Sequence, residues 1–230
     1  MPLIAASQVI RFHFLRCGFA AESLRLVYPG VHLPQAFRHH TENDLVRILF
    51  CGRIISYKGL HVALLALERL PGRFALTVIG EADATLDYGP QIRHWVTANH
   101  LDSRVTFLGG LTHDQVVAEY ARHDIVVFPS LWEEPLGLVV LEAMAAGLPV
   151  VASRRGAPVE LITGGRTGLF HEPGNAVDLA RAVQELSCAS RRQEIGQAAR
   201  ESIRQRFDFD RYIEDIEGIV TSLARERRGG

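Results

Sequence analysis

DIVVFPSLWEEPLGLVVLEAMAAGLPVVAS, residues 124–153, contains a whole folding unit. DIVVFPS (124–130) is a short apolar run rich in β-branched residues and ends in Pro and Ser, as a buried strand does. LWEEP is a loop, with Pro135 marking the approach to a helix. Gly137 opens LGLVVLEAMAAG, which runs helically to about Ala146, where Gly147 can cap it. LPVVAS (148–153) is a second strand. Strand, helix and strand at this spacing form a crossover between parallel strands. Between Glu134 and Val151 the only charges are Glu134 and Glu142, and every neighbour of Glu142 is apolar. A lone carboxylate in such a setting is costly to bury, so its partner becomes the question.

The same alternation extends outward in both directions. VRILFC (46–51), FALTVIG (74–80), RVTFLG (104–109) and TGLFHE (167–172) complete six strands. Helical periodicity separates them at 60–70, at about 89–99 and at 113–123, where Thr112 is a plausible N-cap. The reading is an α/β, Rossmann-like, doubly wound parallel sheet over residues 45–207. Residues 1–44 hold a short apolar start, a helical piece and the strand-like LRLVYPGVH, then the polar, loop-like PQAFRHHTENDL (34–45). Residues 175–228 are mostly helical in two or three segments, and 208–230 form a last helix with ARERRGG as a frayed tail.

A chain of 230 residues, 47% hydrophobic and 22% charged, has the composition of an ordinary globular domain, with or without appendages. Lys+Arg 25 against Asp+Glu 26 leaves a net charge of -1, which argues against a nucleic-acid or anionic-membrane surface. Any anion site must be local. Cys17, Cys51 and Cys188 show no CxxC spacing, so a reducing cytoplasm fits better than a disulfide framework. Cys51, at a strand end, reads as a small buried hydrophobe. The N-terminal MPLIAASQVIRFHFLRCG is broken by Arg11 and Arg16 and reads as neither signal peptide nor membrane span.

Ligands of open parallel sheets bind beyond the carboxyl ends of the strands. The first strand end offers CGRIISYKG: Gly52, Arg53, Lys58 and Gly59. Arg53 can make a forked contact to phosphate and Lys58 supplies a compact charge, which together suit a diphosphate. A surface loop with two solvated cations serves the pattern equally well. GxxxxGK[ST] and GxGxxG are absent, VIGEADA (78–84) carries a single Gly, and GGRTG (164–168) reads as a turn. Of ten histidines, His39 and His40 fall in a polar loop, the others are scattered, and none shows HExxH spacing. Asp208-Phe209-Asp210 precedes the last helix and reads as its N-cap. In the opening stretch, the helix start beside Gly137 is a ready anion site. Glu134 lies before it, at the crevice mouth; Glu142, one step deeper, can accept from two adjacent hydroxyls such as those of a ribose. The alternatives are a solvated loop acid for Glu134 and a buried pair with Arg53 or another base for Glu142.

GRIISYKG, VTFLGGL and the E-x7-E element from Glu134 to Glu142 with AMAAGLPVVAS together resemble the C-terminal domain of retaining glycosyltransferases of family four, also called glycosyl transferases group 1. The resemblance runs from about Ser7 to the last helix. It implies the C-terminal half of a GT-B architecture, in which two Rossmann-like domains face across a cleft. It implies that Arg53 and Lys58 hold the diphosphate of a nucleotide-sugar donor, with Gly52 beside them, and that Glu134 contacts the donor sugar near the reacting centre. Glu142 would bind the ribose, the amides around Gly137, Leu138 and Val139 would hold sugar or phosphate oxygens, and Phe107 to Gly109, with Leu108, would line the base. No metal or other cofactor is implied. The acceptor would be a carbohydrate or a lipid-linked sugar, so the cytoplasmic face of a membrane stays open beside the cytoplasm as a location. The main departure is length: residues 1–44 match only the end of the family's N-terminal domain and its crossover, which implies a donor-binding half that is either a fragment of a longer protein or works with a partner chain or by self-association. A non-catalytic nucleotide-sugar-binding module is the alternative, and an epimerase or phosphorylase of the same architecture a minor one.

Overall fold

The computed structural model describes residues 2–34, 39, 40, 42 and 44–228. Residues 35–38, 41 and 43 of PQAFRHHTENDL, the last two residues of ARERRGG, and Met1 lie outside the described residues.

The chain opens with β1 (Leu3–Ala5), α1 (Gln8–Arg16) and β2 (Leu24–Leu26). Then follow β3 (Val46–Cys51), α2 (Leu60–Arg69), β4 (Phe74–Ile79), α3 (Tyr88–Ala98), β5 (Val105–Gly109) and α4 (His113–Tyr120). β6 (Ile125–Phe128), α5 (Leu138–Ala145), β7 (Val150–Ser153), α6 (Pro158–Leu161) and β8 (Leu169–His171) complete the alternation. Three helices close the chain: α7 (Ala176–Glu185), α8 (Ala189–Arg206) and α9 (Phe209–Arg228). The six expected strands form one sheet in the order β5-β4-β3-β6-β7-β8, and every pair in it is parallel. The doubly wound α/β reading therefore holds.

Alternation along the strands sends side chains to two cores. Ile48, Phe50, Ile125 and Val127 pack with α2, α3 and α7 on one face. Leu49, Val126 and Phe128 pack with α4, α5 and α8 on the other. β6 is buried at every residue because it has neighbours on both edges and helices on both faces. The continuous apolarity of LVVLEAMAA has a similar cause. α5 lies between the sheet and α8, whose Ala199 and Ile203 are fully buried in the same cluster, and Arg200 of α8 donates to the Ala145 carbonyl.

The N-terminal segment is built differently. β1 and β2 pair in parallel as a separate two-stranded sheet, and LRLVYPGVH is a strand only over Leu24–Leu26. α1 buries none of its residues. Its first turn is tied to the core by polar contacts. Ser7 caps it at Ile10 N–H and donates from Oγ to the Pro135 carbonyl at 2.5 Å. Glu160 accepts from Gln8 N–H, Val9 N–H and the Tyr28 hydroxyl at 2.8, 3.1 and 2.8 Å. Thr112 caps α4 in a full capping box with Gln115, and Asp208 accepts from Asp210 N–H at the start of α9, as expected.

Two expectations change. ARERRGG does not begin as a frayed tail: α9 continues to Arg228, consistent with the high helix propensity of Ala, Arg and Glu. His40 lies outside the helices and strands as expected, but its ring is buried despite the polar segment, with Nε2 3.2 Å from the Gly147 carbonyl and Nδ1 3.9 Å from Asp124.

Burial, the leading cause in each case, holds the His123 and His171 imidazoles below their ordinary 6.5. Both bind protons less well folded than unfolded, so their contribution to stability is complete above 6.5 and declines as pH falls below it. The urea midpoint is expected to be lower at pH 5.5 than at pH 7.5, and His171→Gln, which keeps a polar partner for Ser153, to narrow the gap. An unchanged gap in that variant would exclude His171 as a contributor.

Candidate functional site

β3 and β6 are neighbours, yet the chain leaves β3 toward α2 on one face and β6 toward α5 on the other. That divergence is a topological switch point and opens a crevice at the carboxyl ends of the strands. The two loops that border it touch. Gly59 is left-handed, with φ 76°, and a Cβ there would stand 2.0 Å from the Pro129 carbonyl oxygen, so no other residue fits. Leu131 N–H donates to the Tyr57 carbonyl at 2.8 Å across the same seam.

This seam decides the state of Glu134. The residue is buried (7% exposed) and its Oε1 accepts from Lys58 Nζ at 2.5 Å and from Ser130 Oγ at 3.0 Å. Its carbonyl accepts from Ala157 N–H at 2.8 Å. Glu134 is therefore neither a solvated loop acid nor the outer of the two acids. With the β3 loop drawn against the β6 loop, its side chain is 9% exposed while that of Glu142 is 21% exposed. Arg53 is the exposed cation of the pair; its guanidinium donates to the Tyr57 hydroxyl at 2.9 Å. Tyr57 in turn lies beside exposed Trp132, with ring centroids 6.0 Å apart. The Asp83 carboxyl is held below its ordinary 3.8 first by hydrogen bonds from Thr85 and then by the charge of Arg53.

The alternative of a pair between Glu142 and Arg53 is not met, since Arg53 turns to Tyr57 and Glu142 has a phenol and an imidazole beside it. Tyr120 donates its hydroxyl to Oε2 at 3.0 Å, and His113 Nδ1 lies 3.7 Å from Oε1. The Cys51 thiol, at the end of β3, is pushed up to about 11 by burial and then by the Glu142 charge, which keeps it a neutral, unreactive group. Glu142 lines a cavity of about 250 Å³ with His113, Val117, Tyr120 and Leu138. Gly30, Val31, His32 and Phe209 close its other side, where the segment after β2 crosses the start of α9.

Of the candidate residues, Gly52, Arg53, Lys58, Glu134, Gly137, Leu138, Val139 and Glu142 thus lie on the two elements that border the switch point. Gly137, left-handed at φ 78°, immediately precedes α5, so the Leu138 and Val139 amides lie in the first turn, where intrahelical partners run out. Leu108 and Gly109 end the edge strand β5, with β4 between it and β3, and they do not line the cavity beside Glu142. His113 and Val117 are among the residues that do. Ser130, Tyr57, Tyr120 and His113 are additions that the sequence reading lacked. The i, i+4 pair Val116 and Tyr120 signals an inward helix face, but nothing local signals a partner 22 residues away. No group of three or more His, Cys, Asp or Glu among the described residues is placed to hold a metal ion.

A family model described as "Glycosyl transferases group 1" matches residues 34–202. The chain is 36% identical over 197 residues to the D-inositol 3-phosphate glycosyltransferase of Pseudarthrobacter chlorophenolicus, covering 79% of this chain and 46% of that protein. It is 37% identical over 171 residues to a glycogen synthase of Mycobacterium tuberculosis, covering 70% and 39%. Among solved structures, Anabaena HepE in complex with UDP and glucose superposes with a TM-score of 0.87 at 26% identity, covering 96% of this chain and 63% of that one. The chain spans under half the length of these curated relatives.

Lys58 and Glu134 are mostly shielded from water, so removing one charge strands the other. Lys58→Met is expected to cost about 1–3 kcal/mol of unfolding free energy. Lys58→Met with Glu134→Leu is expected to cost less than the sum of the single changes, by at least about 0.5 kcal/mol. Additive losses in urea denaturation would mean that the two side chains do not interact.

Proposed function

This chain belongs to the glycosyl transferases group 1 family, and we propose that it is the donor-binding half of a hexosyltransferase that uses a nucleoside-diphosphate sugar. The observation that carries the reading is that the loop bearing Arg53 and Lys58 and the loop-helix unit bearing Glu134 and Glu142 follow the two strands of the switch point and are joined by the Lys58–Glu134 ion pair. Glu142 would accept from the ribose hydroxyls, and Glu134 would meet the sugar being moved. The bond between the anomeric carbon and the diphosphate breaks, the acceptor oxygen bonds to that carbon with retention of configuration, and the acceptor's hydroxyl proton passes to the departing diphosphate. Negative charge then develops on the departing nucleoside diphosphate. Arg53 and the first-turn amides of α5 would stabilise it, and Lys58 would share its charge between the diphosphate and Glu134. In this reading the cations and the helix terminus supply the positive charge without a metal, and chelation with EDTA leaves donor binding intact. UDP in complexes of the similar Anabaena HepE supports a nucleotide donor. The acceptor would be a carbohydrate or a lipid-linked sugar.

The second half of the enzyme would come from an N-terminal domain. α1 buries no residue and Phe12, Phe19 and Ile4 stand exposed around it, a surface suited to such a partner or, failing that, to self-association. No helix among the described residues is long and apolar enough to cross a membrane. The cytoplasm is the proposed location, with the acceptor deciding whether the protein works at a membrane face.

Calorimetric titration with UDP, GDP and ADP is expected to give binding by at least one of them. Arg53→Ala should weaken that binding about tenfold or more, the value of a charge-assisted contact to phosphate. Exposed Arg69→Ala should change it less than about twofold. Equal losses at the two positions would contradict the site. A second measurement addresses catalysis. The 230-residue chain alone is expected to bind a donor without transferring its sugar to an acceptor, because it spans under half the length of its curated relatives. Transfer by the isolated chain would overturn that division, and sugar conversion with no acceptor present would mark an epimerase.

A further inference from the structure

We infer that Tyr120 is the positioning residue for the ribose-binding carboxylate: its phenol fixes Glu142 so that the carboxylate presents its remaining acceptor positions to the two ribose hydroxyls of the donor. The inference rests on the proposed nucleotide-sugar site and adds to it a residue outside the E-x7-E element and on another helix.

Tyr120 is the last residue of α4, is 1% exposed, and lies in the same core as Leu49, Val140 and Met144. Its ring therefore cannot follow a moving carboxylate. Its hydroxyl donates to Glu142 Oε2 at 3.0 Å. Burial, reinforced by the charge of Glu142, holds the phenol well above its ordinary 10.0, so it remains a donor throughout the working pH range. Among the described residues, the other carboxylate oxygen has no contact of comparable quality. His113 Nδ1 is 3.7 Å from Oε1, beyond hydrogen-bond length, on a side chain that is itself solvent-exposed. Glu142 also borders the 250 Å³ cavity, so its carboxylate is held from the core side and open on the cavity side. An ionised carboxylate offers about four acceptor positions, and one phenol uses one of them. A free glutamate side chain on a helix would lose rotamer freedom on meeting a diol; one already clamped by a rigid ring has lost it on folding.

A tyrosine that only fills the core would affect every nucleotide equally, and this separates the two roles. The experiment measures binding of whichever of UDP, GDP and ADP binds tightest, together with its 2′-deoxy form, to the wild-type chain, Tyr120→Phe and Glu142→Gln. Tyr120→Phe keeps the packing volume, and its thermal midpoint reports whether it folds. The wild type is expected to prefer the ribonucleotide about tenfold. That preference should fall below about threefold in Tyr120→Phe, with affinity for the 2′-deoxy form nearly unchanged. Should Tyr120→Phe not fold, Tyr120→Leu, which removes the hydroxyl, keeps an apolar side chain and leaves Glu142 intact, makes the same comparison. A full ribose preference in Tyr120→Phe alongside a lost one in Glu142→Gln would overturn the role of Tyr120 alone. A wild type that binds both forms equally would overturn the ribose assignment of Glu142, and no nucleotide binding would overturn the donor site as a whole.

Discussion

The ion pair between Lys58 and Glu134 joins the two elements from which the site is made. One side chain belongs to the loop after β3 and the other to the loop after β6, and those strands send the chain to opposite faces of the sheet. A parallel sheet opens a crevice at such a point whatever its sequence. Here the crevice floor is drawn shut by Gly59 against the Pro129 carbonyl, by Leu131 N–H on the Tyr57 carbonyl, and by a salt bridge that is mostly out of water. A shielded pair of this kind is a poor source of net stability, because desolvation offsets much of the attraction. Its value is geometric: it fixes where a carboxylate sits relative to the start of α5.

Two acids eight residues apart on one loop-helix unit consequently live in different environments. Glu134 has a cation and a hydroxyl on the same oxygen, so its charge is balanced before any ligand arrives. Glu142 has one neutral phenol at 3.0 Å and a cavity in front of it. The first is suited to stand beside a centre where charge changes without adding net charge to it. The second retains acceptor capacity and suits a neutral diol. Arg53, exposed and hydrogen-bonded to the Tyr57 hydroxyl, is the more available cation for a phosphate, a distinction invisible when Arg53 and Lys58 are weighed as equals on one loop.

The architecture was legible in the sequence because the governing signals are local. Short β-branched runs, helical periodicity between them, and Gly or Pro at the junctions mark all six strands of the main sheet to within about two residues. The E-x7-E spacing likewise fixed both acids on one unit. What escaped was every relation across the chain. Glu134 looked like the outer acid because Pro and Gly follow it, and only the docking of a loop from residues 56–59 buries it. Tyr120 drew no notice in the sequence, and His40 looked like a polar loop residue, because their partners lie 22 and 84 or more positions away. Leu108 and Gly109 end a strand as expected, but the sheet order that puts β4 between them and β3 is a tertiary fact.

In the proposed donor complex one nucleotide spans the two loops, with its diphosphate on the Arg53 side and its ribose on Glu142. A crystal structure of this chain with a bound nucleoside diphosphate measures that directly. The account predicts both ribose hydroxyls within hydrogen-bond distance of the Glu142 carboxylate and phosphate oxygens between Arg53 and the first turn of α5. A nucleotide bound elsewhere on the sheet, or bound here with its ribose turned away from Glu142, would contradict it.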